Sequence, residues 1–392
     1  MPACWDPVRI VDIRERSVPL HGAPSNAVVS FSGHTVSLVC VVSDVVRDGR
    51  PVVGVAFNSI GRHAQGGILR DRMIPRVLDA DPDTLLGEHG IDPAAVLAAA
   101  VSGEKPGGHG DRSSAAAALE LACWDLNAKL RDEPAYITIA DAFGRTPAAG
   151  VMVYAAGGYY GAGAGLRELR DEVASYLDAG YAFVKMKVGG AVLPEDTARV
   201  EAAVEAAGDG ALVAVDANGR FDRTEALACA GVLRPFGLRW LEEPGDPLDY
   251  ELTRSVIEHS TGAVATGENL FSLPDVENLL RYGGMRPGID VFQMDAGLSY
   301  GLTHYARMIE RLESQGHSLD QVMPHGGHLI NLHIVTAFGL GGCEAYPGVF
   351  APFGGYGPRS RPVDGRIAPT DDPGFGLEEK PDLAAEIAAM VG

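Results

Sequence analysis

Short apolar runs alternate with amphipathic stretches along the chain from about residue 145 onward. Each run has the length of a buried strand, and the stretches between them repeat apolar residues at helical spacing, as at 166–178, 195–207 and 222–233. Eight strand–helix units in succession predict an α/β fold of the TIM-like (β/α) barrel type. The predicted strands are 151–156, 183–188, 211–216, 239–243, 263–267, 289–295, 321–324 and 342–346.

The first third of the chain follows a different pattern. Residues 35–43 and 51–57 read as strands on either side of the turn-forming stretch DVVRDGR, which predicts a hairpin. Residues 112–130 predict a helix that Ser113 or Ser114 caps. We therefore expect an N-terminal α+β unit before the barrel and a C-terminal segment that returns to it. The predicted bounds are 1–135, 145–365 and 366–392.

Charge and cysteine content exclude several classes of function. The net charge of −20 argues against nucleic-acid and anionic membrane partners, which need basic surfaces. No segment has the apolar length that spans a membrane. The five cysteines lack a CxxC pair or a zinc spacing, and Arg9 and Asp12 stand where a signal peptide needs an apolar run. We expect a cytoplasmic protein that acts on a small molecule.

Polar residues recur at the C-terminal ends of the predicted strands, where barrel enzymes place their active sites. From Lys187 to His325, the successive strand-end residues stand 26 to 30 residues apart, about the length of one βα unit. Each therefore falls on its own strand, and together they are expected to converge on one pocket. The set is Lys185, Lys187, Asp216, Glu242, Glu268, Asp295, His325 and Glu344.

Three carboxylates of this set, Asp216, Glu242 and Glu268, come from successive strands. Acidic oxygens that face one point repel each other unless a cation lies between them. Hard oxygen ligands suit Mg²⁺, so the three residues predict a magnesium site. The alternative is that each carboxylate caps the following helix or pairs with a surface lysine or arginine.

Lys185 and Lys187 lie two residues apart on one strand, so both point to the same side. Their neighbours are apolar, and a lysine held in a pocket beside another lysine loses basicity and acts as a base near neutral pH. The alternative is an exposed edge strand with solvated lysines, which the covered strands of a barrel argue against.

Asp295 and His325 lie at adjacent strand ends. A carboxylate on one imidazole nitrogen fixes the tautomer and raises the basicity of the ring, which suits a general acid. His328 and His333 fall on the following helix and are interpreted as structural.

The glycine-rich stretch at 157–165 (GGYYGAGAG) follows the first barrel strand. It does not match GxGxxG with an acid about twenty residues on, and its unit opens a barrel rather than a Rossmann sheet. We interpret it as a βα loop at the rim of the pocket, and not as a nucleotide site.

With these residues in place, the chain resembles the mandelate racemase subgroup of the enolase superfamily over nearly its whole length. The matching segments are VKMKV, VDAN, LEEP, TGEN and MPHGG, the last with the Asp295–His325 pair. The resemblance implies an enolase-type barrel under an N-terminal capping domain, with loops near 20–30 and 55–65 as the lid of the pocket. It also implies Mg²⁺ and a lysine or histidine base.

Within the subgroup, the chain is most similar to the D-tartrate dehydratases. The similarity rests on Asn58, on Lys105 and on the segment HGGHLINLHIVTAFGLGGCEAYP at the end of the barrel. In that family the matching asparagine and lysine contact the substrate. The implied substrate-binding set is Asn58, Lys105, Asn218 and Glu344.

The implied reaction removes the C2 proton of D-tartrate and eliminates the C3 hydroxyl, which gives oxaloacetate. Lys187 would be the base, and His325 the acid that protonates the departing hydroxyl. Mg²⁺ would stabilise the charge that develops on the carboxylate, with Lys185 as a second positive contact. Glu344 would be protonated or share a proton with a substrate oxygen. We also expect a homo-oligomer.

Three other functions stay open. The first is dehydration of another acid sugar, such as L-tartrate or a six-carbon aldarate. The second is a racemase or epimerase, in which two bases on opposite faces exchange the C2 proton without elimination. The third is a non-catalytic binding protein of this fold, which so many costly buried charges argue against.

Overall fold

An antiparallel sheet of three strands opens the computed structural model, which describes residues 8–22, 24–88, 90–161 and 165–391. The predicted hairpin is present, and its tight turn lies at Asp48 and Gly49, where φ is 48° and 75°. Positive φ at both central residues matches the twist of a two-residue hairpin. The sequence pattern does not predict the first strand, because most of its residues are exposed or half-buried. The strands are β1 (Ile10–Pro19), β2 (Thr35–Arg47) and β3 (Arg50–Phe57).

One long helix, α4, covers this sheet and is buried along most of its length. Gly54 of β3 permits the close approach, because a Cβ there would lie 2.1 Å from the carbonyl oxygen of Ala122. The prediction that Ser113 or Ser114 caps the helix is wrong. Gly110 is the N-cap, and the Ser113 hydroxyl, inside the first turn, donates to the Gly110 carbonyl at 2.6 Å. The elements of this region are α1 (Gly66–Ile68), α2 (Ile74–Leu78), β4 (Leu86–Gly87), β5 (Gly90–Ile91), α3 (Pro93–Ala100), α4 (Asp111–Arg131) and α5 (Ala135–Ala142).

Seven parallel strands, in the order β11-β10-β9-β8-β7-β6-β12, form the barrel sheet. The predicted strand at 321–324 is wrong as a strand, since it contributes only a parallel bridge from Val322 to Phe292 after a 3₁₀ turn. The Gly341 N–H donates to the Val322 carbonyl at 3.0 Å, and this hydrogen bond joins the segment to the residues just before β12. The strands are β6 (Val151–Gly157), β7 (Val184–Lys187), β8 (Val213–Asp216), β9 (Trp240–Glu242), β10 (Ala263–Thr266), β11 (Val291–Phe292) and β12 (Cys343–Ala345).

Four of the seven connecting helices in the described part of the chain begin after a residue whose side chain caps them: Asp222, Asp249, Ser272 and His328. Asp222 accepts from the backbone of Glu225, whose side chain accepts from the Asp222 N–H, so this capping box starts α8 one residue later than predicted. The helices are α6 (Leu166–Asp178), α7 (Leu193–Ala207), α8 (Arg223–Leu233), α9 (Tyr250–His259), α10 (Leu273–Tyr282), α11 (Leu302–Ser314) and α12 (Leu329–Phe338).

Aromatic rings fill the barrel interior beneath the strand ends. Tyr154 and Phe183 stack with centroids 4.6 Å apart, and Trp240 meets both edge-on. All three are buried, so the barrel interior beneath the mouth is a packed core and not a channel.

The C-terminal segment contacts both parts of the chain. Its first element, β13 (Arg366–Ile367), pairs antiparallel with β6. Its last, α13 (Pro381–Val391), lies against β1 and β2, where the Arg14 guanidinium donates to the Met390 carbonyl at 2.6 Å. Within the described ranges, no helix is both long and apolar enough to cross a membrane. The four described cysteines are buried and free.

Candidate active site

A cavity of about 240 Å³ lies between the mouth of the barrel and loops of the N-terminal region. Both predicted lid loops line it, through Phe31 and its neighbours and through Ile60 to Arg62. Tyr159 of the glycine-rich loop lines it too, whereas residues 162–164 of that loop lie outside the described residues. A larger depression, of about 720 Å³ between the loop after β7 and α8, contains none of the predicted site residues.

Asp216, Glu242 and Glu268 meet at this mouth, with one carboxylate oxygen from each within 4.8 Å of the others. Asp216 and Glu242 end neighbouring strands in register, and Glu268 follows the next strand. None of the three caps the following helix, because α8, α9 and α10 take their caps from other residues. Burial, then Asp216, Glu268 and Glu344, raise the pKa of Glu242 against the opposing effect of Lys185. Three crowded hard oxygen donors fit a divalent cation such as Mg²⁺.

The two lysines of β7 point into this acidic cluster. Lys185 Nζ lies 2.6 Å from Glu242 Oε1 and 2.8 Å from Glu344 Oε1, and Lys187 Nζ lies 2.5 Å from Asp216 Oδ2. Strand β7 is flanked by β6 and β8, so the edge-strand alternative does not hold. The prediction that the two lysines lose basicity is wrong for this arrangement of side chains. Burial lowers the pKa of each lysine, but the neighbouring carboxylates outweigh it and raise both values.

His325 is held at both ring nitrogens. Its Nδ1 lies 3.1 Å from Asp295 Oδ2, and its Nε2 lies 2.9 Å from the hydroxyl of Tyr346. Asp295 is fixed in turn, because its Oδ1 accepts from the Gly297 N–H and from the Asn331 amide. Burial lowers the pKa of His325, but Glu268, Asp295 and Glu344 raise it to about 9 overall. The ring is therefore protonated at neutral pH, the state that a general acid needs.

His328 and His333 are buried and do not line the cavity. His328 is the N-cap of α12 and accepts from the Asn331 N–H, while its Nε2 lies 2.6 Å from the Ser59 hydroxyl. Burial lowers the pKa of His328 to about 4 and that of His333 to about 3. Both rings are neutral at pH 7, which agrees with excluding them from the site.

The predicted substrate-binding residues divide into two groups. Asn218 lines the cavity and donates to Asp216 at 3.2 Å, and Glu344 lies beneath it. The expectation of a protonated Glu344 is wrong, because Lys185 and other cations outweigh burial and lower its pKa. The side chains of Asn58 and Lys105 are not in the lining: Asn58 accepts from the Ser37 N–H at 2.7 Å within the N-terminal region, and Lys105 is exposed.

Residues 168–383, more than half of the chain, match the family model described as "Enolase C-terminal domain-like". The chain belongs to this family. The predicted membership of the enolase superfamily is confirmed.

Three relatives of this enolase-family chain carry names of acid-sugar enzymes. The 3,6-anhydro-alpha-L-galactonate cycloisomerase of Streptomyces coelicolor is 30% identical over 283 residues, 69% of this chain and 70% of the relative. The arabinonate dehydratase of Saccharolobus solfataricus is 27% identical over 56% of this chain and 57% of its own length. The L-talarate/galactarate dehydratase of Salmonella typhimurium is 28% identical over 66% and 62%. The last two matches span less than two thirds of the relatives.

Solved structures confirm the barrel fold of the family. A racemase from Streptomyces coelicolor with bound magnesium has a TM-score of 0.74 at 24% identity and covers 94% of this chain and 96% of its own. The L-talarate dehydratase from Polaromonas, complexed with Mg and L-glucarate, has a TM-score of 0.73 at 23% identity and covers 96% and 97%. Identities this low show the fold alone. These neighbours carry magnesium, and this chain has an acidic cluster that could bind the same ion.

This enolase-family chain also brings into the cavity residues that the sequence reasoning missed. Glu243 and Asn269 immediately follow a predicted strand-end residue, and Tyr346 lies two residues after Glu344, which is the signal that could have found these three. Arg62, instead, lies in the predicted lid loop, whose path no periodicity encodes. The missed residues are Arg62, Glu243, Asn269 and Tyr346.

Proposed function

We propose that this chain is a magnesium-dependent dehydratase of acid sugars, and that D-tartrate is its substrate. One observation carries the proposal: Lys187 and His325 line the same small cavity beside three converging carboxylates. The segment that ends at His325 lies beside β11, at the far end of the sheet from β12. Around the barrel, strand β7 is therefore separated from this segment by β6 and β12 in one direction and by β8 to β11 in the other. A substrate between them therefore meets a base and an acid on different sides.

Asp216, Glu242 and Glu268 would hold the Mg²⁺. When bound, the cation supplies positive charge that stabilises the negative charge developing on the substrate carboxylate. Lys185 lies behind these carboxylates and adds a second positive charge at the bottom of the site.

The chain's own residues move the protons. Lys187, at the surface of the cavity, removes the C2 proton, for which its amine must first be neutral. Nδ1 of His325 donates to Asp295, and because the neighbouring carboxylates raise the pKa of the ring to about 9, Nε2 carries a proton as well. His325 delivers this second proton to the C3 hydroxyl as that group leaves. The enol product then tautomerises to oxaloacetate.

The choice of substrate rests on the size of the cavity and on one segment of the sequence. The two relatives named as dehydratases act, by those names, on acid sugars of different length and charge. A cavity of about 240 Å³ lies below the roughly 300–1,000 Å³ of pockets for drug-sized ligands and favours a small acid. The segment at 325–347 resembles the D-tartrate dehydratases. Asn58 and Lys105 do not add support, since neither side chain lines the cavity.

The test is a panel of acid sugars supplied with Mg²⁺, in which keto-acid formation is followed. D-tartrate is expected to give oxaloacetate, and L-tartrate and meso-tartrate to react far more slowly. A higher kcat/KM for a six-carbon aldarate would overturn the substrate and keep the reaction. Absence of keto acid from every member of the panel would overturn the dehydratase.

A racemase is the second candidate, and the same cavity favours it. Two proton-transfer groups on different sides of one carbon can invert that carbon without elimination. Loss of optical rotation from a 2-hydroxy acid, with no keto acid formed, would support this function.

A further inference from the structure

Arg62 is the one charged side chain that the N-terminal loops contribute to the described lining of the cavity. It follows β3 in the lid loop and is half-buried. The other lining residues of these loops are apolar or uncharged, as Val28, Phe31 and Ile60 show. A substrate that binds the strand ends through one carboxylate therefore meets a single positive charge on the lid.

Two contacts aim the Arg62 side chain at the barrel mouth. One terminal nitrogen donates to Asn269 Oδ1 at 3.0 Å, and the guanidinium lies 5.1 Å from the centre of the Phe271 ring. Stacking and a single hydrogen bond fix the plane of a guanidinium with little loss of its five donors. Such a planar fork matches the two oxygens of a carboxylate.

A purely structural role for Arg62 is the competing explanation. Asn269, its partner, donates in turn to both oxygens of the buried Glu243, at 3.0 and 3.2 Å. On that explanation Arg62 only orients Asn269, and its removal would affect every substrate alike.

We propose that Arg62 binds a second carboxylate of the substrate, so that the enzyme is selective for dicarboxylic over monocarboxylic acid sugars. The proposal rests on the proposed function and deepens it, because it states which class of acid sugar the site selects. By their names, one relative acts on the monocarboxylic acid arabinonate and another on the dicarboxylic acids talarate and galactarate. It also replaces the expected role of Lys105, which is exposed and outside the lining.

The test uses Arg62→Met, which keeps an unbranched apolar side chain and removes the guanidinium fork. We compare kcat/KM for D-tartrate and for the trihydroxybutanoate with the same configuration at C2 and C3. The variant is expected to lose roughly 10- to 150-fold for the diacid, the range of a hydrogen bond to a charged group, and to change little for the monoacid. Equal losses for both acids would overturn the proposal in favour of the structural role.

The control is Arg70→Met in the same region. Arg70 pairs with Glu15 and does not line the cavity, so this variant is expected to keep the preference for the diacid.

A binding measurement separates this proposal from the proposed function. Succinate and butanoate carry no hydroxyl and cannot be dehydrated, so titration calorimetry with Mg²⁺ measures recognition alone. The wild-type protein is expected to bind succinate more tightly than butanoate, and Arg62→Met to lose that difference. If no acid sugar is dehydrated but this difference appears and is lost in the variant, the reaction is wrong and the carboxylate site stands. If dehydration occurs with no such difference, the carboxylate site is wrong.

Discussion

The hydroxyl of Tyr346 lies 2.9 Å from Nε2 of His325, the ring nitrogen that does not face Asp295. Tyr346 lines the cavity, and burial raises its pKa well above the usual range, so the phenol stays protonated. The ring nitrogen that is proposed to deliver a proton is thus held by a neutral side chain that also lines the cavity.

Replacement of Tyr346 by phenylalanine tests what this contact does. The variant is expected to lower kcat for dehydration by roughly 2- to 10-fold, the range of one neutral hydrogen bond, with a smaller effect on KM. Steady-state kinetics over pH 6–9 measures both. Tyr356→Phe is the control, since Tyr356 donates to the backbone of Glu344 and has no contact with His325. Equal effects of the two variants would assign Tyr346 a structural role only.

The metal site is tested best at Glu268. Both oxygens of Glu242 accept hydrogen bonds, one from Lys185 and the other from Trp240 and Gln293. In Glu242→Gln the new amide N–H₂ group would face one of these donors, which would destabilise the fold as well as remove a metal ligand. Glu268 is only half-buried, and the Asn269 amide at 3.5 Å is its hydrogen-bond donor. Glu268→Gln is therefore expected to keep the fold and to lose activity by roughly 100-fold or more, beyond the effect of a residue that only supports a ligand.

Mg²⁺ itself provides a second measurement on the same variant. At about 100 times its Kd, the ion is expected to stabilise the wild-type protein by about 2.7 kcal/mol, seen as a rise in Tm. The Glu268 variant is expected to need more Mg²⁺ for the same rise, and the surface variant Glu251→Gln the same amount as wild type. Full activity in excess EDTA would contradict the metal site.

The two proton transfers are separable by isotope exchange. His325→Asn is expected to lose dehydration by about 10²–10⁴-fold, yet to exchange the C2 hydrogen of D-tartrate with D₂O, because Lys187 is intact. Lys187→Ala is expected to lose both dehydration and exchange. Proton NMR of recovered substrate measures the exchange. Exchange in the lysine variant, with none in the histidine variant, would make His325 the base.

His333 is expected to make the protein sensitive to acid. Its folded pKa of about 3 lies below the ordinary value of 6.5, so the unfolded chain binds more protons between these pH values. The stabilising effect of the neutral ring is complete above pH 6.5 and is lost as the pH falls toward 3. At pH 4.5 the free energy of unfolding is expected to be lower by about 3 kcal/mol from this group alone.

The matched variant is His333→Asn, whose Oδ1 can accept from the Tyr136 N–H as Nδ1 does. It is expected to be less stable at pH 7, through lost packing, and to lose less stability on acidification. Urea unfolding at pH 7 and pH 4.5 measures this, with the exposed His21→Asn as the control. An unchanged pH dependence in the His333 variant would show that the ring is not held neutral by the fold.

The sequence by itself determined the barrel and the meeting of Asp216, Glu242 and Glu268. An apolar run every 26 to 30 residues makes one strand of a parallel sheet, and the polar residue at the end of each run must fall at the same end of the barrel. These features depend on local periodicity, and the amino-acid sequence of one chain is enough to reveal it.

Only the tertiary structure decided what the cavity contains and how its groups are charged. The paths of the lid loops place Arg62 in the lining and leave Asn58 and Lys105 out of it. The ionised Glu344 and the strongly basic Lys187 result from the sum of burial and of charges on several strands. No periodicity encodes these outcomes, because a loop path and an electrostatic balance both depend on distances between residues far apart in the chain.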